Sequence, residues 1–191
     1  MTNGTKSGAK SRLVALALIV VLFVPALANS DGLSLLSLSA RARLSNETTL
    51  GGQQPEEFDE YTLAAHLGLP WQREIEWGWV VDTRLMASAG LMQGAGENGL
   101  IVSLIPQLGF RPVKWPLLLD LGAGGALLSR YKSGDQDFGG PFQFALTTGA
   151  SFRFYKQLGI GYRFMHYSDG GMYGDDTVGS DFHMIELFYY Y

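Results

Sequence analysis

Three side chains near the C-terminus have the types and spacing for nucleophilic catalysis. His166 and Ser168 lie two residues apart in GYRFMHYSDGG, Gly161 to Gly171, and Asp181 follows in the sequence Gly179-Ser180-Asp181. A spacing of two puts His166 and Ser168 on one face of a strand. A serine hydroxyl activated by an imidazole, with a carboxylate holding the imidazole, attacks acyl carbonyls. Such an arrangement needs no cofactor and no metal.

The face that carries these residues follows from alternation along the strands. In the 157–169 strand, Ile160, Tyr162, Phe164, His166 and Ser168 share the apolar face, opposite Gly159, Gly161, Arg163, Met165 and Tyr167. In the 179–191 strand, Asp181, His183, Ile185, Leu187, Tyr189 and Tyr191 oppose Phe182, Met184, Glu186, Phe188 and Tyr190. Parity therefore separates the two available acids: Asp181 shares the face of His166 and Ser168, and Glu186 does not. In a hairpin register that sets 181 opposite 166, residue 168 faces Gly179, which leaves room. Directly opposed side chains have Cβ atoms about 4.5–5.5 Å apart, within reach of a hydrogen bond.

Six further strands are expected, near 33–44, 57–69, 75–92, 99–110, 115–128 and 141–154, with a turn at 70–74 and a loop at 93–98. Each alternates in the same way. Phe142, Phe144, Leu146, Ala150, Phe152 and Phe154 oppose Gln143, Thr147, Gly149, Ser151 and Arg153; Leu117, Leu119 and Leu121 oppose Asp120 and Gly122. Either the apolar face is the core of a secreted soluble sandwich, or it meets lipid and the polar face points inward. Strand lengths of 11 or more suit a tilted membrane crossing. Long and short connections alternate, and the chain closes on the aromatic run Phe188-Tyr189-Tyr190-Tyr191. The balance favours an eight-stranded antiparallel transmembrane β-barrel, up-and-down, with a filled interior. Arg41, Arg43, Asp82, Arg84, Asp120, Arg153, Arg163 and Glu186 are expected to pair with one another inside it. Trp71, Trp77 and Trp115 fall near short turns, where an aromatic belt is expected.

The N-terminus reads as an export signal. Lys6, Lys10 and Arg12 precede an apolar run from Leu13 to Val24, and Ala26-Leu27-Ala28 supplies the small residues of a cleavage site. Residues 1–28 are thus expected to be removed, leaving 29–191 as one barrel domain. Loss of three bases and no acids makes the formal charge of −4 more negative. No basic footprint for nucleic acid remains. With no cysteine the chain is no disulfide scaffold.

The run His166-Tyr167-Ser168-Asp169-Gly170-Gly171, followed by Gly179-Ser180-Asp181 and an aromatic last strand, resembles the lipid A 3-O-deacylase family of PagL type. Gly134-Asp135-Gln136-Asp137-Phe138-Gly139 ahead of Phe142-Gln143-Phe144 is similar to the family's third loop and sixth strand. The resemblance implies a cofactor-free outer-membrane esterase with a lipid-facing site that acts on lipid A in the outer leaflet. It implies Ser168 as nucleophile, His166 as base and Asp181 as the acid, commonly glutamate in the family. A homodimer is compatible with it. Two departures stand out: Asp169 replaces an asparagine, and Asp175-Asp176-Thr177-Val178 replaces a Pro-Asn pair. Family members draw oxyanion donors from this loop, so Gly170, Gly171 and Thr177 are the candidates here. Competing readings are a non-enzymatic barrel that acts as adhesin, structural or surface-binding protein, and a barrel acyltransferase. His66 is expected to hydrogen-bond in the lumen and His183 to lie beside the site. Asp135, Asp137, Asp169, Asp175 and Asp176 are expected to be solvated loop acids rather than cation ligands.

Overall fold

The structure, a computed structural model, describes residues 32–45, 47–50, 54–174 and 176–191. The expected signal segment and its cleavage site lie outside the described residues. The chain forms strands β1 (Ser34–Ser45), β2 (Phe58–Ile75), β3 (Trp79–Gly94), β4 (Glu97–Pro112), β5 (Leu117–Leu128), β6 (Lys132–Ser133), β7 (Gln136–Asp137), β8 (Phe142–Tyr155), β9 (Leu158–Ser168) and β10 (Ser180–Tyr190). Eight of these close into one antiparallel barrel in the order β1-β10-β9-β8-β5-β4-β3-β2, while β6 and β7 form a small hairpin in a loop. Closure pairs β1 with β10 and removes the free sheet edges.

Alternation sorts the side chains as a membrane-spanning barrel requires. Leu63, Leu104, Leu108, Leu121, Phe144, Leu146, Phe152, Ile160, Leu187 and Tyr189 are exposed on the outer face. Arg41, Glu60, His66, Gln107, Asp120, Gln143, Arg163 and Glu186 are buried inside. Two groups of lumen charges are paired at close range. Arg163, 1% exposed, donates from Nη1 and Nη2 to the two oxygens of Asp120 at 2.7 and 3.0 Å, and from Nε to Glu186 Oε2 at 2.7 Å. Glu186 Oε1 also accepts Ser39 Oγ at 2.6 Å and lies 3.2 Å from His66 Nε2. A second group joins Asp82 to Arg84 and Arg111. His66 therefore belongs to the interior network.

Several boundaries and three charges, Arg41, Arg43 and Arg153, differ from the sequence expectation. The 70–74 turn does not exist: β2 continues to Ile75 and the chain reverses through a 3-10 turn at Glu76–Gly78. Trp77 sits in that turn with φ 68° and is 94% exposed, so it is not on the apolar face of β3. β2 carries a register irregularity between Gly68 and Gln72 and pairs with β3 again from Gln72 to Ile75. The expected 93–98 loop contracts to Ala95 and Gly96, both at positive φ, because β3 and β4 pair to Gly94↔Glu97. Arg153 is exposed and lies over the Tyr190 ring, 4.1 Å from its centroid, instead of joining the interior pairs. It pairs with Gly159 next to the β8–β9 turn, at the end of the barrel, just before the register shifts toward Tyr155. Arg41 and Arg43 bond to neutral partners, Thr62 Oγ1 and the Ser45 carbonyl. Trp71 and Trp115 are exposed toward the short-turn end.

The Asp120–Arg163–Glu186 cluster yields a stability prediction. Arg163→Met leaves two buried carboxylates without their cation, and breaking such a pair costs about 3–5 kcal/mol. The variant should unfold at lower urea than wild type, and the triple change with Asp120→Asn and Glu186→Gln should recover part of the loss. Urea titration of the barrel in lipid vesicles, followed by tryptophan fluorescence, measures both.

Candidate active site

The β9–β10 hairpin brings His166 and Asp181 face to face. The strands pair in the register Asp181↔His166, with Ser180↔Tyr167 above and Phe182↔Met165 below. His166 Nδ1 lies 2.6 Å from Asp181 Oδ1. With Nδ1–H donating to the carboxylate, Nε2 keeps its lone pair, the tautomer a general base needs. Tyr162 and Phe164, on the same face of β9, are more exposed than inward Arg163, Met165 and Tyr167. His166 and Ser168 thus occupy the outer face.

Gly179 accounts for the closeness of the other pair. A Cβ built there would lie 3.2 Å from His166 Cε1, 3.3 Å from Ser168 Cβ and 2.7 Å from the Tyr167 carbonyl oxygen. The imidazole edge and the serine side chain therefore flank one glycine. Among the described residues Ser168 Oγ makes no hydrogen bond to His166. Nucleophile–base contacts are commonly long before substrate binds.

Asp181 is 0% exposed although its parity is outward. The β1–β2 loop crosses over it. The amides of Thr49 and Leu50 donate to Asp181 Oδ2 at 2.6 and 2.5 Å. His183, on the same face of β10, accepts the Tyr162 hydroxyl at Nδ1, 2.5 Å away. Its Nε2 lies 3.1 Å from the Glu47 carbonyl oxygen and 3.0 Å from Thr49 Oγ1. These loop donors have no counterpart in the sequence reading. A backbone amide belongs to every non-proline residue, so no residue type marks it.

The loop after Ser168 is organised by Asp169. Its carboxylate accepts the amides of Gly171 at 3.2 Å and Tyr173 at 3.0 Å. Burial pushes this carboxyl up, but hydrogen bonds from the amides of Tyr173 and Gly171 and from the Thr177 hydroxyl pull it down, and the group sits below the usual carboxylate range. Gly170 and Gly171 take positive φ of 62° and 81°, a conformation glycine adopts without strain. Of the three candidate oxyanion donors, Gly171 N–H is engaged by Asp169. Thr177 Oγ1 donates to the Gly174 carbonyl at 3.3 Å. The Gly170 amide makes no hydrogen bond among the described residues, and Gly170 packs at the Phe144 ring beside Ser168. The loop docks on the β6–β7 hairpin: Val178 N–H donates to Asp137 O at 3.0 Å, and Gln136 Nε2 to Val178 O at 2.6 Å.

The remaining acids do not converge. Asp137 pairs with Lys132 at 2.5 Å, and Asp135 donates its amide to Glu56. Asp175 lies outside the described residues. Among the described residues no three histidines or acids gather as a metal site.

Comparison with known proteins bears on this arrangement. No curated protein sequence matches the chain. The fold is similar to that in the crystal structure of the outer membrane enzyme PagL, with a TM-score of 0.66 and 19% identity over 80% of this chain and 98% of that one. It is also matched, at a TM-score of 0.49 and 15% identity, to the backbone structure of the Yersinia pestis outer membrane protein Ail in a phospholipid bilayer nanodisc. That match covers 84% of this chain and 100% of that one. At these identities the likeness is one of fold. The family model described as lipid A 3-O-deacylase (PagL) matches residues 59–190, from the second residue of β2 to the end of β10 and so across the whole hairpin that carries His166, Ser168 and Asp181, and the chain belongs to that family.

Proposed function

We propose that this protein is an outer-membrane esterase that hydrolyses an ester-linked acyl chain of lipid A, using Ser168, His166 and Asp181 on the lipid-facing surface of the barrel. The observation that carries the reading is the 2.6 Å His166–Asp181 contact on the same outer face as Ser168, in a chain of this family. The apolar outer band supports a membrane setting, with the long loops on the extracellular side and both chain ends periplasmic. Residues 1–28 are then the export signal that brings the barrel there. In that orientation the site lies at the outer-leaflet end, level with lipopolysaccharide acyl chains. The homodimer considered above gains no support from the fold.

The chemistry runs in two halves. Ser168 Oγ attacks the acyl carbonyl while His166 Nε2 takes its proton, and Asp181 stabilises the imidazolium that forms. The imidazolium then protonates the departing sugar oxygen, leaving the acyl group on Ser168. Water enters, His166 removes its proton, and the fatty acid departs with Ser168 restored. The oxyanion formed in each half lies nearest the start of the 169–179 loop, where the Gly170 amide is the donor assigned here. With Gly171 and Thr177 engaged elsewhere, this hole has a single clear donor. Removing one donor typically costs about 10²–10³ in rate.

Mass spectra of lipid A from cells expressing the protein test the reading. Wild type should remove the mass of one acyl chain, and Ser168→Ala should leave lipid A intact while the barrel still folds. Unchanged deacylation by Ser168→Ala would remove Ser168 from its role. An unaltered lipid A with wild type would point instead to a binding or structural barrel, and an acyl acceptor gaining mass to transfer.

Two further variants probe geometry. Asp181→Asn keeps the side chain's shape but favours the wrong imidazole tautomer, so the rate should fall by about 10⁴-fold. Gly179→Ala forces a methyl against His166, Ser168 and the Tyr167 carbonyl, and displacements near 1 Å cost about 10²-fold. Steady-state deacylation of purified lipid A in detergent micelles measures both.

A further inference from the structure

We propose that residues 47–50 form a strap across the outer face of β10, pinned by His183 and Tyr162, whose Thr49 and Leu50 amides position the Asp181 carboxylate for His166. The inference rests on the triad reading given above. It assigns a role to the β1–β2 loop, to His183 and to Tyr162, none of which touches the reacting atoms.

A carboxylate on the outer face of a membrane barrel faces a medium that offers it no donors, and such a group is costly there. Further down the same face Leu187 and Tyr189 are exposed, whereas Asp181 is fully covered. The cover is the chain of Thr49 and Leu50, and it brings two N–H groups to one oxygen, Oδ2. Oδ1 is left to His166 Nδ1. Two donors on one oxygen and one on the other fix the plane of the carboxylate as well as its charge. Without them a short side chain with free rotation about Cα–Cβ would hold the imidazole only loosely.

The strap has its own anchor. Tyr162 donates its hydroxyl to His183 Nδ1, which places the remaining ring proton on Nε2. That proton faces the Glu47 carbonyl and Thr49 Oγ1. The His183 ring is further wedged by Phe164, whose centroid lies 5.2 Å away. Tyr162 and Phe164 belong to β9 and His183 to β10, so the two strands that carry the triad also hold the strap. Positioning residues in this sense act through Asp181.

The test uses the full protein in bicelles. Hydrogen exchange should show the Thr49 and Leu50 amides protected in wild type and unprotected in Asp181→Ala. Leu50→Pro deletes one donor, and His183→Phe removes the pin while keeping an aromatic ring on the outer face. Both should lower kcat toward lipid A by about 10²-fold with little change in KM, and both should weaken the downfield proton resonance of His166 Nδ1. His183→Gln, which still offers a donor to Glu47, should recover part of the rate. Wild-type kcat and an intact Nδ1 resonance in His183→Phe, or rapid exchange of both amides in wild type, would overturn the strap. Deacylation by Ser168→Ala would overturn the triad instead, and the Asp181-dependent protection of the two amides would stand apart from that result.

Discussion

Sliding β10 by one residue along β9 would bring Ser180 or Phe182 opposite His166 and turn Asp181 toward the lumen, because a one-residue slip flips every side chain. The site therefore depends on a register, and that register is set inside the barrel. Gly161 and Gly159 leave space for the inward rings of Phe188 and Tyr190, which would otherwise meet a Cβ at 3.0 and 2.7 Å. Gly149, facing Arg163 across the β8–β9 pair, does the same for the guanidinium. Arg163 then reaches Glu186 and Asp120 together. Bulky and absent side chains interlock across three strands, and the outer face inherits its geometry from that fit.

The two faces solve opposite electrostatic problems with similar means. Inside, a buried cation is held by two carboxylates, which also accept from the Ser39 hydroxyl and the Gln107 amide. Outside, a buried carboxylate is surrounded by one imidazole and two backbone amides. In both cases the partners are supplied from within the chain, as burial of a charge demands. The consequence for function is rigidity: the His166–Asp181 pair sits between two strands of a closed wall and under a loop. Ser168 is at the end of β9, where the wall gives way to the 169–179 loop. Ser168, the proposed nucleophile, is followed by a loop that is tied down by Asp169 and the β6–β7 hairpin.

Much of this was legible before any coordinates. Alternation placed His166, Ser168 and Asp181 on one face and Glu186 on the other, and the structure places them so. The strand count and the lumen setting of His66 followed from the same two-residue period. The 70–74 turn was misplaced because Gly68 and Pro70 mark an irregularity within β2 rather than its end: the register with β3 shifts between Gly68 and Gln72, and pairing resumes to Ile75. Arg153 keeps the parity of a lumen residue and lies over the inward Tyr190 ring, but it sits in the last regular pair before the β8–β9 turn, at the open end of the barrel, where it is exposed.

Local periodicity, then, was enough to determine which residues share a face, since successive side chains of a strand have only two directions. Only the tertiary structure decided what covers the outward carboxylate. Thr49 and Leu50 meet Asp181 because closure of the barrel sets β1 beside β10, joining segments 131 and 132 residues apart. The contact is made by backbone amides, and an amide leaves no trace in the identity of the residue that bears it.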